Sequence, residues 1–174
     1  MTECRIVVLI PTFNDHDEIN QMVIDILKLD LNCEILVVDD GSDRPVNVDS
    51  ASERVRLIRL PDNLGIGLCV GVAIDYALNI GADFLVRVDG DGQHPVESIP
   101  ELVAHCRLES ADLVLGCRVG SSIDSTDKLA RAVMKNWMNF WLRLLFRLKI
   151  KDPHTGFCAL SHRALTHLKD RDLI

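Results

Sequence analysis

The chain has 174 residues, 48% hydrophobic and 26% charged, which gives one folded domain over 1–174 and excludes disorder. No stretch reaches the roughly 18 uncharged apolar residues of a membrane span. The net charge of −7 excludes an extended nucleic-acid surface but is uneven: seven basic and no acidic residues lie between Lys128 and Lys151, leaving 12 basic against 26 acidic elsewhere.

Met1–Arg5 leads into an apolar run without the charge order or length of a secretory signal, so a cytoplasmic location is expected. Cys4, Cys33, Cys69, Cys106, Cys117 and Cys158 form no CxxC pair. They read as buried or half-buried free thiols in a reducing compartment, neither disulfides nor zinc ligands. The first strand is predicted over Ile6–Ile10, ended by Pro11, and a helix over about 15–29 with Asn14 or Asp15 as N-cap. A second strand, Ile35–Val38, stops at the turn signal Asp39-Asp40-Gly41-Ser42-Asp43. A third follows over Val55–Leu60. The next helix runs from about Gly65 to Ile80, with 66, 70, 73, 74 and 77 on one apolar face and Gly81 just past its end. Strand four, Phe84–Val88, runs into Asp89-Gly90-Asp91-Gly92-Gln93-His94-Pro95. A helix over about 96–106, a strand at Leu113–Leu115 and a helix over Ser161–Lys169 complete the regular part.

Alternating strands and helices predict an α/β fold with a mainly parallel sheet. In such sheets ligands bind beyond the carboxyl ends of the strands. Pro11–Asp15, Asp39-Asp40 and Asp89-Gly90-Asp91 all fall at such ends and are expected to line one rim. Asp89 and Asp91, on a tight glycine turn with the Gln93 carbonyl nearby, can converge on a hard divalent cation that neutralises a departing diphosphate. Asp39 or Asp40 can accept from a base N–H or a ribose hydroxyl, and a turn role for one of them fits equally well. Arg118, at another strand end, suits phosphate.

Pro11-Thr12-Phe13-Asn14, Val37-Val38-Asp39-Asp40-Gly41-Ser42, Asn63-Leu64-Gly65, Asp89-Gly90-Asp91-Gly92-Gln93-His94, Gly116-Cys117-Arg118 and Asp152-Pro153-His154-Thr155-Gly156-Phe157 stand in one order over about 5–168. In that order and spacing the chain resembles family 2 glycosyltransferases, especially the dolichol-phosphate mannosyltransferase-like, polyprenyl-phosphate branch. The resemblance implies a GT-A, Rossmann-like, three-layer α/β/α fold and inverting, metal-dependent transfer from a UDP- or GDP-sugar. It places Pro11, Phe13, Asp15, Val37 and Asp39 at the nucleoside, and Asp89, Gly90 and Asp91 at the sugar and diphosphate. It puts Asp91, Gln93 and Asp89 on Mg2+ or Mn2+, Arg118 and Arg131 near the donor phosphates or acceptor, and Asp152 with Asp89 as catalytic carboxylates. The chain departs from the pattern at Asp15, where Glu is frequent, and at Cys158, where Arg is frequent. It also ends earlier than such transferases usually do, which raises the alternative of a non-catalytic nucleotide-sugar-binding or partner subunit.

Residues 128–150 read as one helix carrying Trp137 and Trp141, with Arg131, Lys135, Arg143 and Arg147 in a drifting stripe among many large apolar residues. This suits either an anionic membrane surface, making the protein peripheral, or a helix packed on both sides within the protein or against a partner chain in a dimer. The resemblance adds a lipid-linked phosphate acceptor near it. A hydroxyl acceptor needs a general base, whereas a phosphate with a second pKa near 6 is already anionic, leaving Asp152 to orient it. A dinucleotide-binding module fits less well, because Gly65-Ile66-Gly67 is separated from its strand by Pro61–Leu64. A nucleotidyltransferase would carry a glycine-rich basic loop where Pro11–Asp15 stands.

Overall fold

A computed structural model describes residues 4–15, 18–48, 52–90, 95–117 and 155–171. In chain order the elements are β1 (Ile6–Thr12), α1 (Ile19–Leu27), β2 (Cys33–Asp39), β3 (Val55–Arg59), α2 (Ile66–Asn79), β4 (Phe84–Arg87), a 3-10 turn (Val96–Ser98), α3 (Ile99–Leu108), β5 (Leu113–Leu115), β6 (Cys158–Ser161) and α4 (His162–Asp170).

The strands form one sheet in the order β3-β2-β1-β4-β6-β5. β1 pairs parallel with β2 and β4, and β2 parallel with β3, while β6 runs antiparallel to both β4 and β5. β1 and β2 are covered on both faces, which is why they are continuous apolar runs instead of alternating ones. Ile6, Val8, Ile10, Cys33, Ile35 and Val37 face a core closed by Ile19, Met22, Val23 and Ile26 of α1 and by Ile99, Leu102, Val103 and Cys106 of α3. Val7, Leu9, Leu36 and Val38 face the opposite core, closed by Cys69, Ala73, Ile74 and Ala77 of α2 and Leu165 of α4. The result is the expected three-layer α/β/α arrangement with a mainly parallel sheet. Each fully buried Leu or Ile contributes about 1.5–3 kcal/mol, so these two strands anchor the domain.

Several boundaries differ from the sequence reading. β1 continues through Pro11. The Leu9 carbonyl accepts from Val88 N–H at 2.9 Å on the β4 side, so Pro11 faces the same side two residues on, where β4 has already ended. Its missing N–H therefore breaks no ladder bond. α1 starts at Ile19, not near 15, because Asn14 takes a φ of 60° and joins another loop. On α2, Ile66 is exposed and Cys69 takes its expected place in the core. The helix ends as anticipated at Gly81 (φ 68°), with Gly81 N–H donating to the Leu78 carbonyl and Ala82 N–H to the Ala77 carbonyl. β6 was not anticipated: Cys-Ala-Leu-Ser is four residues with little β preference, held by β4 and β5 on its two sides. Ser161, expected inside the last helix, caps it by accepting from Ala164 N–H at 3.2 Å. Cys33, Cys69 and Cys106 are buried, Cys4 and Cys158 half-buried, and Cys117 is exposed, contrary to expectation.

Candidate active site

The chain leaves β1 to build β2 and β3 on one side, then crosses back to build β4 on the other. The crevice belongs beyond the carboxyl ends of β1 and β4, where the winding reverses. The structure brings the acidic turns together there. Asp39 pairs in register with Thr12, and Asp40 N–H donates to the Thr12 carbonyl at 2.8 Å. On the other side, a Cβ added to Gly90 would come within 3.0 Å of the Pro11 carbonyl oxygen. The 39–40 turn and the 89–90 turn therefore flank the end of one strand.

The first turn is consumed by its own framework. Asp39 is 1% exposed and accepts from Ser42 N–H at 2.9 Å, Val46 N–H at 3.4 Å and Arg59 Nη1 at 3.0 Å. Burial pushes its carboxyl up, but Ser42, Val46 and Arg59 outweigh burial and hold it below the usual range. Asp40 accepts from Leu64 N–H at 2.8 Å and Gly65 N–H at 2.9 Å, tying down the entry to α2. Gly41 has a φ of 72°, and a Cβ there would strike the backbone of Asp62 and Asn63. The sequence left a turn role for one of the two aspartates; both have one. Val37 is fully buried and Pro11 and Asp39 are buried too, so none of the three presents its side chain at the surface of the rim.

Residues 12–15 close the rim. Asn14 N–H donates to Ser42 Oγ at 2.9 Å, and the Asn14 side chain exchanges hydrogen bonds with Asp43 at 2.9 and 3.2 Å. Phe13 (42% exposed) and Asp15 stand at the surface beside this seam.

The second turn is built differently. Arg87 Nη2 donates to Asp89 Oδ1 at 2.7 Å, with the two side chains 26% and 23% exposed. Gly156, just before β6, lies against the same carboxylate, and a Cβ there would overlap both oxygens of Asp89. Phe157 N–H donates to Thr155 Oγ1 at 3.2 Å, and Gly116 N–H donates to the Phe157 carbonyl at 2.8 Å. Nearby, burial pushes the Cys69 thiol up to about 11, with Asp40 adding to the effect and Arg87 opposing it. Burial likewise raises Cys158 against the opposing charge of Arg87. Both stay protonated at neutral pH and are unsuited to be nucleophiles or thiolate ligands.

Asp91, Gln93, Arg118, Arg131, Asp152 and the expected helix at 128–150 lie outside the described residues. Among the described residues, no group of three His, Cys, Asp or Glu side chains is placed to hold a metal. The part of the acidic loop that is described fits a hard divalent cation in its donor chemistry: Asp89 offers carboxylate oxygen, and the missing side chain at Gly156 is what lets that carboxylate lie against the backbone there. Arg87 and Gly156 are site residues that sequence reasoning did not assign. A lone arginine in an apolar strand, two residues before an acidic turn, was the available signal for the first.

With this geometry established, similarity to known proteins decides the family. Residues 7–168 match the Glycosyl transferase family 2 model. The chain belongs to family 2 of the glycosyltransferases. The dolichol-phosphate mannosyltransferase of Pyrococcus furiosus is 30% identical over 90% of this chain and 46% of its own length. The polyprenol monophosphomannose synthase of Mycolicibacterium smegmatis is 28% identical over 92% of this chain and 63% of its own. These relatives support the polyprenyl-phosphate branch, and this chain spans about half to two thirds of them. The glucosyl-3-phosphoglycerate synthase of Mycobacterium tuberculosis, in complex with Mn2+ and UDP-glucose, superposes with a TM-score of 0.65 at 20% identity, covering 92% of this chain and 57% of that one. The family 2 chain thus has the GT-A fold. Among its described residues, no helix is long and apolar enough to cross a membrane.

Proposed function

We propose that this family 2 chain transfers a sugar from a UDP- or GDP-sugar to a polyprenyl phosphate, with inversion at the anomeric carbon. The observation that carries the reading is the meeting of the Asp39–Asp40 and Asp89–Gly90 turns at the Pro11–Thr12 end of β1, the natural seat of a nucleoside diphosphate in this topology.

Phe13 and Asp15 meet the nucleoside from the rim, above a floor made by Pro11, Val37 and Asp39. Asp89, Asp91 and Gln93 would hold Mg2+ or Mn2+, and Arg118 and Arg131 would serve the donor phosphates or the acceptor. The cation, when bound, neutralises charge on the leaving diphosphate. An acceptor phosphate oxygen attacks the anomeric carbon opposite the departing nucleotide; the new C–O bond forms as the bond to the diphosphate breaks. Asp152 orients that acceptor, and for a hydroxyl acceptor it would instead take the proton. The names of the Pyrococcus and Mycolicibacterium relatives support a lipid-phosphate acceptor, and the Mn2+ and UDP-glucose in the Mycobacterium complex support the donor class. A peripheral position at a membrane, through residues 128–150, follows from such an acceptor.

The test is calorimetry of UDP- and GDP-sugars on the wild type and on Asp91→Ala, with and without Mn2+. Mn2+ should tighten binding of one donor about tenfold or more in the wild type alone. Tight binding indifferent to both Mn2+ and the substitution would overturn the reading.

A further inference from the structure

Arg87 is the last residue of β4, in register with Leu9 of β1 on one side and Cys158 of β6 on the other. Neither neighbour offers a carboxylate. Its guanidinium reaches forward to Asp89 Oδ1 at 2.7 Å, while its Nε is buried without a hydrogen-bond partner among the described residues. A buried donor left unmade is costly, so the side chain is not placed to satisfy itself fully. Its orientation serves the pair with Asp89. Asp89 has little freedom to leave that pair, because the Gly156 backbone packs against its carboxylate. The first acidic group of the loop therefore carries a fixed positive charge within one hydrogen bond.

Opposite charges at this separation attract and like charges repel with comparable strength, and partial burial weakens the screening. A divalent cation approaching Asp89 alone meets a carboxylate whose charge Arg87 has largely cancelled. A nucleoside diphosphate brings negative charge of its own and restores the balance. Resting on the donor reading above, we propose that Arg87 is a positioning residue that makes cation binding at the acidic loop depend on the nucleotide donor. The wild type binds the cation weakly alone and strongly with the donor, so that the cation arrives and leaves with the nucleotide.

The experiment titrates Mn2+, with and without UDP, into the full 174-residue chain and its Arg87→Met and Arg87→Gln variants, following free Mn2+ by electron paramagnetic resonance. Both variants should bind Mn2+ alone about fivefold or more tightly than the wild type, and UDP should enhance Mn2+ binding less than it does there. Glutamine can still hydrogen-bond Asp89 without carrying charge. A purely structural role for Arg87 would leave Arg87→Gln unchanged and weaken Mn2+ binding in Arg87→Met. Unchanged or weaker Mn2+ affinity in Arg87→Gln overturns the proposal, and that variant decides the matter alone should Arg87→Met not fold. A wild type whose Mn2+ affinity UDP does not raise overturns the donor reading as well. A wild type that shows the enhancement, beside variants that bind Mn2+ as it does, overturns only the role of Arg87.

Discussion

The two acidic turns flank the same strand end and look alike on paper, each an apolar strand running into aspartate and glycine. Inside the molecule they are opposites. Every carboxylate oxygen of Asp39 and Asp40 accepts from the protein's own N–H groups or from Arg59, and neither residue is appreciably exposed. Asp89 is held by Arg87 and pressed on one side by bare backbone, with part of its carboxylate at the surface. Carboxylates whose hydrogen bonds are complete within the protein serve rigidity, whereas Asp89 is held by a charged pair and stays partly exposed. Acidity at a strand end does not by itself distinguish a fastened carboxylate from a partly exposed one; the partners do.

The contrast can be broken most sharply at Gly156. Gly156→Ala places a methyl group on the Asp89 carboxylate and must turn it off the Arg87 pair. Sugar transfer should fall about 100-fold, since small misplacements at a reacting centre cost that much. Thermal melting should stay close to wild type; a variant that melts early while keeping its transfer rate would reverse the assignment of the second turn. The first turn should behave the other way round. Asp39→Asn removes the charge that Ser42, Val46 and Arg59 hold in place and should cost about 2–3 kcal/mol in urea unfolding. The ionised form of Asp39 is favoured in the folded chain, so its contribution is complete above the unfolded carboxylate pKa of about 3.9. It disappears as the pH falls through the lower folded value, so the acid limb of the stability curve should be flatter in Asp39→Asn than in wild type. Equal slopes would assign the acid sensitivity to other groups. The smallest effect is expected from Asp40→Ala, which frees Leu64 and Gly65 N–H at the entry to α2 and should lower stability by about 1 kcal/mol. Loss of nucleotide affinity far beyond that would show that Asp40 does more than fasten the helix.

Much of this frame was legible from the residues. Strands of Val, Ile and Leu that run into Pro11, Asp39 and Asp89 mark the rim, and Gly81 marks the end of α2, because those signals are local. Helix α1 was drawn too early because Asn14, a good cap in isolation, is claimed by Ser42 and Asp43 across the rim. β6 escaped notice because its stability comes from its neighbours, not from its own four residues. The same holds for Arg87 and Gly156, whose importance lies in what stands beside them in space. Cys158, where the resembled family often has arginine, pairs with Arg87 across the β4–β6 ladder.

The return of β6 between β4 and β5 has a further result. Gly116 and Phe157 are bonded at 2.8 Å although 40 positions separate their numbers, so the chain leaves the sheet and re-enters it through one doorway. The described segments around Gly116 and around Phe157 therefore converge on one point of the sheet, next in the chain to the Gly156 that lies against Asp89.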